Sequence, residues 1–198
     1  MKTEERASGK NFSGNTNKLR SKSDFYQTPY NLTRRLLEVE KFKGRILEPA
    51  CGGGAITTIL EEAGYRDITA YDLLVDGKDF LDETREFDAI ITNPPFSLAK
   101  EFILKACEVA PRFAFLLPLS YLHGKERHDE IYTRGILEKI YVFTRYPLLS
   151  RDIRADGKYE TGMMVYAWYI FDTRHGGAPT IHWIDNQNDV ARKTRNKK

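Results

Sequence analysis

Two adjacent prolines at the end of an apolar run constrain this chain more than any other feature. Residues 89–92, Ala-Ile-Ile-Thr, are apolar or β-branched without interruption, the composition of a buried strand. They stop at Asn93-Pro94-Pro95-Phe96. Each proline fixes its own φ and removes a backbone N–H. Each also pushes the residue before it into extended backbone. The result is a stiff corner at the C-terminal end of a strand, carrying an amide side chain, bare backbone carbonyls and an aromatic ring. Turns that merely close a strand use Gly, Asn or Asp, so the corner reads as a site.

The chain around it alternates strands and helices. Residues 45–48 read as a first strand, Pro49-Ala50-Cys51-Gly52-Gly53-Gly54 as a glycine-rich turn and residues 55–63 as a helix. Strand, glycine turn and helix form the first half of a nucleotide-binding unit, the glycines allowing tight turning and close backbone approach to a ligand. A dinucleotide fingerprint wants a further glycine at position 57, where this chain has Thr57, which weakens a nicotinamide or flavin reading. A second strand, 67–71, ends in Asp72, about 20 residues past the turn, where an acid grips a ribose diol. The alternative for Asp72 is a helix cap.

Upstream, Phe25-Tyr26-Gln27-Thr28-Pro29 leads into Leu32, Leu36, Leu37 and Val39, a short amphipathic helix; the plain reading of the aromatic pair is a staple on its first turn. Downstream come a helix over 98–109, strands over 112–117 and 140–143, an aromatic strand over 163–171 read as the antiparallel seventh, and a possible edge strand over 180–184. Between them lie a polar span, 120–134, and a basic loop, 145–158.

The corner suits the chemistry of an exocyclic amine. The Asn93 side-chain oxygen and the Pro94 carbonyl are two acceptors for the two amine hydrogens. Phe96 offers a face for the flat ring, a contact worth about 1–3 kcal/mol. On these residues the chain resembles the S-adenosylmethionine-dependent amino-methyltransferases that share an Asn/Asp-Pro-Pro-Tyr/Phe motif. Over residues 25–171 it is similar to the small phage-type DNA N6-adenine methyltransferases.

The resemblance implies an α/β fold: a Rossmann-like, seven-stranded class I methyltransferase sheet, mostly parallel with an antiparallel last strand. It makes Asn93, Pro94, Pro95 and Phe96 catalytic. It assigns S-adenosylmethionine to Tyr26, Thr28 and Pro29 at the methionine end, Glu48, Ala50, Cys51 and Gly52 in the glycine motif, Asp72 on the ribose, Asp79 and Phe80 on the adenine, and Asn93. Asp76 and Asp82 compete with Asp79 for its part. Phe96, Arg127, Arg145, Arg151 and Arg154 are the expected nucleic-acid contacts, with DNA ahead of RNA as partner. No metal is required. The same residues also suit an RNA adenine or guanine amino-methyltransferase, or a catalytically silent cofactor-binding subunit. Glutamine methyltransferases usually carry a helical substrate domain ahead of the fold, which 24 polar residues do not supply.

Charge adds to this picture. Residues 1–24 hold six Lys/Arg and three acids, and 189–198 hold five Lys/Arg and one acid, so a net +3 chain has basic ends on a core of about −4. The expected division is a basic arm over 1–24, a methyltransferase domain over 25–188 and a basic tail over 189–198. Basic ends are a plausible footprint for nucleic acid. The two cysteines and four histidines have no metal-ligand spacing. With no apolar leader or membrane-length run, a cytoplasmic protein is expected.

Overall fold

The computed structural model describes residues 27–145 and 164–186. The arm, the tail, Tyr26, Arg151 and Arg154 lie outside the described residues. In chain order the elements are α1 (Tyr30–Val39), β1 (Ile46–Glu48), α2 (Ala55–Glu62), β2 (Ile68–Ala70), α3 (Leu73–Asp76), β3 (Ala89–Thr92), α4 (Ala99–Val109), β4 (Arg112–Pro118), α5 (Lys125–Glu130), β5 (Leu137–Phe143), β6 (Tyr166–Asp172) and β7 (Thr180–Ile184). Short 3₁₀ turns span Phe80–Asp82, Phe96–Leu98, Leu119–Leu122 and Tyr132–Arg134.

The seven strands form one sheet in the order β2-β1-β3-β4-β6-β5-β7. All pairings are parallel except those of β6, which runs against both β4 and β5. The predicted edge strand is the seventh: β7 pairs parallel with β5 from Lys139↔Thr180 to Phe143↔Ile184. The reversed strand is therefore next to last in the chain. The segment around Asp79 contributes a 3₁₀ turn and no strand.

Helices cover both faces, as alternating strands and helices require. On one face Leu32, Leu36 and Leu37 of α1 and Ile56, Ile59 and Leu60 of α2 pack on Ile46, Ile91, Leu116, Trp168 and Ile170. On the other, Phe102, Ile103 and Ala106 of α4 pack on Leu47, Ile90, Phe113, Phe115 and Phe171. β3 is buried at all four positions, so its run is continuous and not alternating. The indole of Trp168 donates to Leu32 O at 3.0 Å, tying α1 to β6.

The polar span 120–134 forms a braced pad. Tyr132 Oη and Arg127 Nε both donate to Tyr121 O, at 2.8 and 3.0 Å. Lys100 of α4 holds Glu126 and Glu130 on α5. No described helix is long and apolar enough to cross a membrane.

Candidate active site

Three adjacent strand ends assemble the site. β1 pairs with β2 on one side and with β3 on the other. Neighbouring strands lie about 4.8 Å apart, so whatever follows β1, β2 and β3 shares one edge of the sheet. That edge is the carboxyl end, where open α/β sheets hold ligands.

Beyond β1 the ladder continues into the turn, with Tyr71 N donating to Glu48 O and Cys51 N to Tyr71 O, each at 3.1 Å. Gly52 and Gly54 take φ of 50° and 73°, the left-handed region that favours glycine. Gly54 is thereby the N-cap of α2. A Cβ on Gly53 would meet the Gln27 amide at 3.9 Å, so the Gln27 side chain lies beside the glycine turn. Thr28 is buried there, and Pro29 caps α1.

Glu48 is 1% exposed. Its Oε2 accepts from Thr57 N at 2.8 Å and from the Thr57 hydroxyl. Burial pushes its carboxyl up to about 8, Thr57's two donors pull it down and Asp72's charge adds to the rise. Thr57, where a dinucleotide site wants glycine, thus bonds the carboxylate that ends β1. Cys51 is half-buried, and burial with the charges of Glu48, Asp72 and Asp76 raises its thiol to about 11. It stays a thiol at neutral pH.

Asp72 caps a helix and also reaches the glycine turn. Its Oδ1 accepts from Leu74 N at 2.8 Å, capping α3, and its Oδ2 accepts from Gly52 N at 3.1 Å, reaching the glycine turn. Asp76 accepts from Asp72 N at 2.9 Å. Asp79 caps the next 3₁₀ turn by accepting from Leu81 N at 2.9 Å. The Phe80 ring points into the core, 4.9 Å from that of Phe102 and 1% exposed.

β3 delivers Asn93, half-buried, then Pro94, buried, and Pro95, half-buried. Leu98 N donates to Pro95 O at 2.9 Å, closing the 3₁₀ turn that Phe96 begins. The Phe96 ring lies 5.6 Å from that of Tyr166, tilted by 35°.

Of the expected nucleic-acid contacts, Phe96, Arg127 and Arg145 lie among the described residues. Arg127 is used internally: its guanidinium donates to Tyr121 O and His123 O and lies over the Tyr121 ring at 4.7 Å. Arg145 is exposed beside Asp185, 3.5 Å away, and its backbone exchanges bonds with Asn186. Among the described residues no group of three or more His, Cys, Asp or Glu is placed to hold a metal ion.

Sequence reasoning passed over Gln27 and Tyr166 and gave Thr57 no partner. Only Thr57 carried a signal, as the polar residue displacing a glycine.

No family model matches the sequence. No curated protein matches it either. Solved structures do. A candidate RNA methyltransferase from Pyrococcus horikoshii is 16% identical, with a TM-score of 0.57 over 76% of this chain and 88% of that one. A modification subunit of a candidate type I restriction enzyme from Vibrio vulnificus is 18% identical, with a TM-score of 0.53 over 80% of this chain and 47% of that one. A candidate class I S-adenosylmethionine-dependent methyltransferase from Listeria monocytogenes is 16% identical, with a TM-score of 0.53 over 79% of this chain and 65% of that one. Identities this low establish the fold: the seven-stranded α/β sheet has the architecture of these methyltransferase structures.

Proposed function

We propose that the chain is an S-adenosylmethionine-dependent methyltransferase acting on a nucleobase exocyclic amine, with adenine N6 in DNA as the first acceptor. One observation carries the reading. The glycine turn with Asp72 and the Asn93-Pro94-Pro95-Phe96 corner end neighbouring strands on the same sheet edge.

The residues present suit the cofactor. Each Asp72 oxygen accepts one backbone N–H and keeps a lone pair, so the pair matches the two hydroxyls of a ribose diol. Asp72 and Asp76 act electrostatically on Cys51, so their charge would suit a cationic cofactor at this turn, and a cation there would also favour ionisation of Glu48. Asp79, at the head of its 3₁₀ turn, is the acceptor for an adenine amine, with Phe80 fixing that turn from the core. When bound, S-adenosylmethionine supplies an electrophilic methyl group.

Everything else falls to the chain. Asn93 Oδ1 and Pro94 O accept the two amine hydrogens and draw the nitrogen lone pair out of the ring plane. Phe96 holds the base flat. Neither acceptor is basic, so the proton lost from the methylated nitrogen passes to water. Positioning of this kind accounts for roughly 7–11 kcal/mol in well-oriented reactions. A duplex would have to flip its target base, which costs a few kcal/mol and favours single-stranded or mismatched sites.

The test is incubation with labelled cofactor and DNA and RNA of one sequence, followed by nucleoside analysis. Labelled N6-methyladenine from DNA is the expected result. Label in RNA alone moves the acceptor. Cofactor binding by calorimetry with no transfer to either leaves a silent binding subunit.

A further inference from the structure

The acceptor corner has a support that comes from two strands away in the sheet. Phe96 follows two prolines and opens a single 3₁₀ turn, so little regular backbone bonding fixes its ring. It is half-buried and touches the packing of both sheet faces. Tyr166 is 4% exposed and is the first residue of β6. β6 is the reversed strand, so its first residue lies at the carboxyl edge, where the other strands put their last. Its place there is rigid: Tyr166 is in register with Pro118, and Leu119 N donates to Val165 O at 2.7 Å. A centroid separation of 5.6 Å is within the range of favourable aromatic pairs.

We infer that Tyr166 is a positioning residue that sets the plane of Phe96 and so the stacking geometry of the acceptor base. The inference rests on the functional reading above. It concerns the ring and not the phenol. Tyr166→Phe therefore preserves the platform, while Tyr166→Leu keeps an apolar side chain in the strand and removes the ring.

Single-turnover methyl transfer, nucleic-acid KM and cofactor affinity are measured for wild type, Tyr166→Phe, Tyr166→Leu, Phe96→Ala and the Phe96→Ala/Tyr166→Leu double variant. Fluorescence of an oligonucleotide with 2-aminopurine at the target position reports stacking without turnover. Tyr166→Phe should lie within about twofold of wild type. Tyr166→Leu should lose roughly 3- to 10-fold in kcat/KM, the scale of one aromatic pair, with cofactor affinity unchanged and 2-aminopurine quenching reduced. On the Phe96→Ala background it should have no further effect. A Tyr166→Leu effect that multiplies with that of Phe96→Ala, or none at all in folded protein, overturns the assignment while wild-type activity leaves the functional reading standing. Wild type that methylates neither DNA nor RNA overturns both.

Discussion

Two glutamates, buried to nearly the same degree at opposite ends of the sheet, are held in opposite ways. Glu40, 4% exposed, follows α1 and meets the amino ends of β4 and β5. Burial raises its carboxyl, but Lys139 at 2.8 Å, Tyr141 at 2.6 Å and Arg112 at 2.7 Å outweigh burial and leave it below the usual range. Glu48, 1% exposed at the carboxyl end of β1, has only Thr57's two neutral donors and a like charge in Asp72, and rises to about 8. The amino end of the sheet neutralises its buried charge with cations from its own chain. At the carboxyl end burial outweighs Thr57's two donors, so Glu48 keeps its proton up to about pH 8 and gives it up where a cationic ligand lies beside it. Substitutions at the first end should act on stability, and those at the second on transfer and binding.

The largest effect is expected at the corner. Asn93→Ala should cut methyl transfer by about 10²–10³, the usual result of losing an acceptor or donor aimed at developing charge. Cofactor affinity and the denaturation midpoint should barely move. Rapid-quench transfer assays beside calorimetry check this, and substantial turnover by the folded variant removes Asn93 from the mechanism.

At the other end, Glu40→Gln should act on folding alone. Breaking a buried ion pair costs about 3–5 kcal/mol. Arg112 keeps Glu138 at 2.7 Å and Asp172 at 3.4 Å, and Lys139 keeps Glu138 at 3.4 Å, so the loss is reduced. A cost of about 2–3 kcal/mol is expected, or roughly 4–12 °C in Tm for a chain this size. Urea denaturation of Glu40→Gln beside Glu48→Gln at neutral pH is the measurement. Equal losses in the two would erase the distinction between the ends.

Much of this division was legible in the sequence, and the rest depends on topology. The corner was visible because consecutive prolines have strong local consequences. The glycine turn was visible because it lies between a short apolar run and a helical period. The α4 face was visible because Phe102, Ile103, Ala106 and Val109 keep helical spacing. Tyr166 was not visible as a site residue, because the sequence marks it only as one aromatic of a buried antiparallel strand and does not say that its ring meets Phe96 at the carboxyl edge. Arg127 looked like a phosphate ligand because a guanidinium that bonds carbonyls of its own chain leaves no mark in the sequence. Asp72 carried two readings, and the structure gives its carboxylate both a helix to cap and a turn to reach.

That double use makes Asp72 a sharper probe than a simple deletion. Asp72→Ala removes the ribose acceptor, worth about 1.5–3 kcal/mol for a charged hydrogen bond, and also the α3 cap, worth about 1 kcal/mol. Asp72→Asn keeps a capping oxygen and removes the charge. Both should weaken cofactor binding by roughly 10- to 100-fold, with Asp72→Ala losing the more stability because Asn keeps one oxygen for the cap. An unchanged cofactor Kd in Asp72→Asn would reduce the residue to its cap.

The pH dependence of stability tests the contrast most directly. A carboxyl raised in the folded state keeps a proton that the unfolded chain releases. Glu48's contribution is therefore fully present below its ordinary value of 4.5, declines as pH rises and is gone above about 8. One such proton gives a slope of at most about 1.4 kcal/mol per pH unit. Glu40, lowered in the fold, has the opposite sign: its contribution is present above 4.5 and lost as pH falls through its lowered value. Glu48→Gln, which mimics the protonated acid, should flatten the decline between about 4.5 and 8 and be more stable than wild type near the upper limit. Thr57→Val removes the hydroxyl that holds the carboxyl down, so the decline should extend to higher pH. A cationic cofactor beside Glu48 favours the ionised form, so binding near neutral pH should release a fraction of a proton, seen as a buffer-dependent enthalpy in calorimetry. If the Glu48→Gln stability profile runs parallel to wild type across this window, Glu48 is already ionised in the fold. The two ends of the sheet would then hold their buried glutamates in the same state.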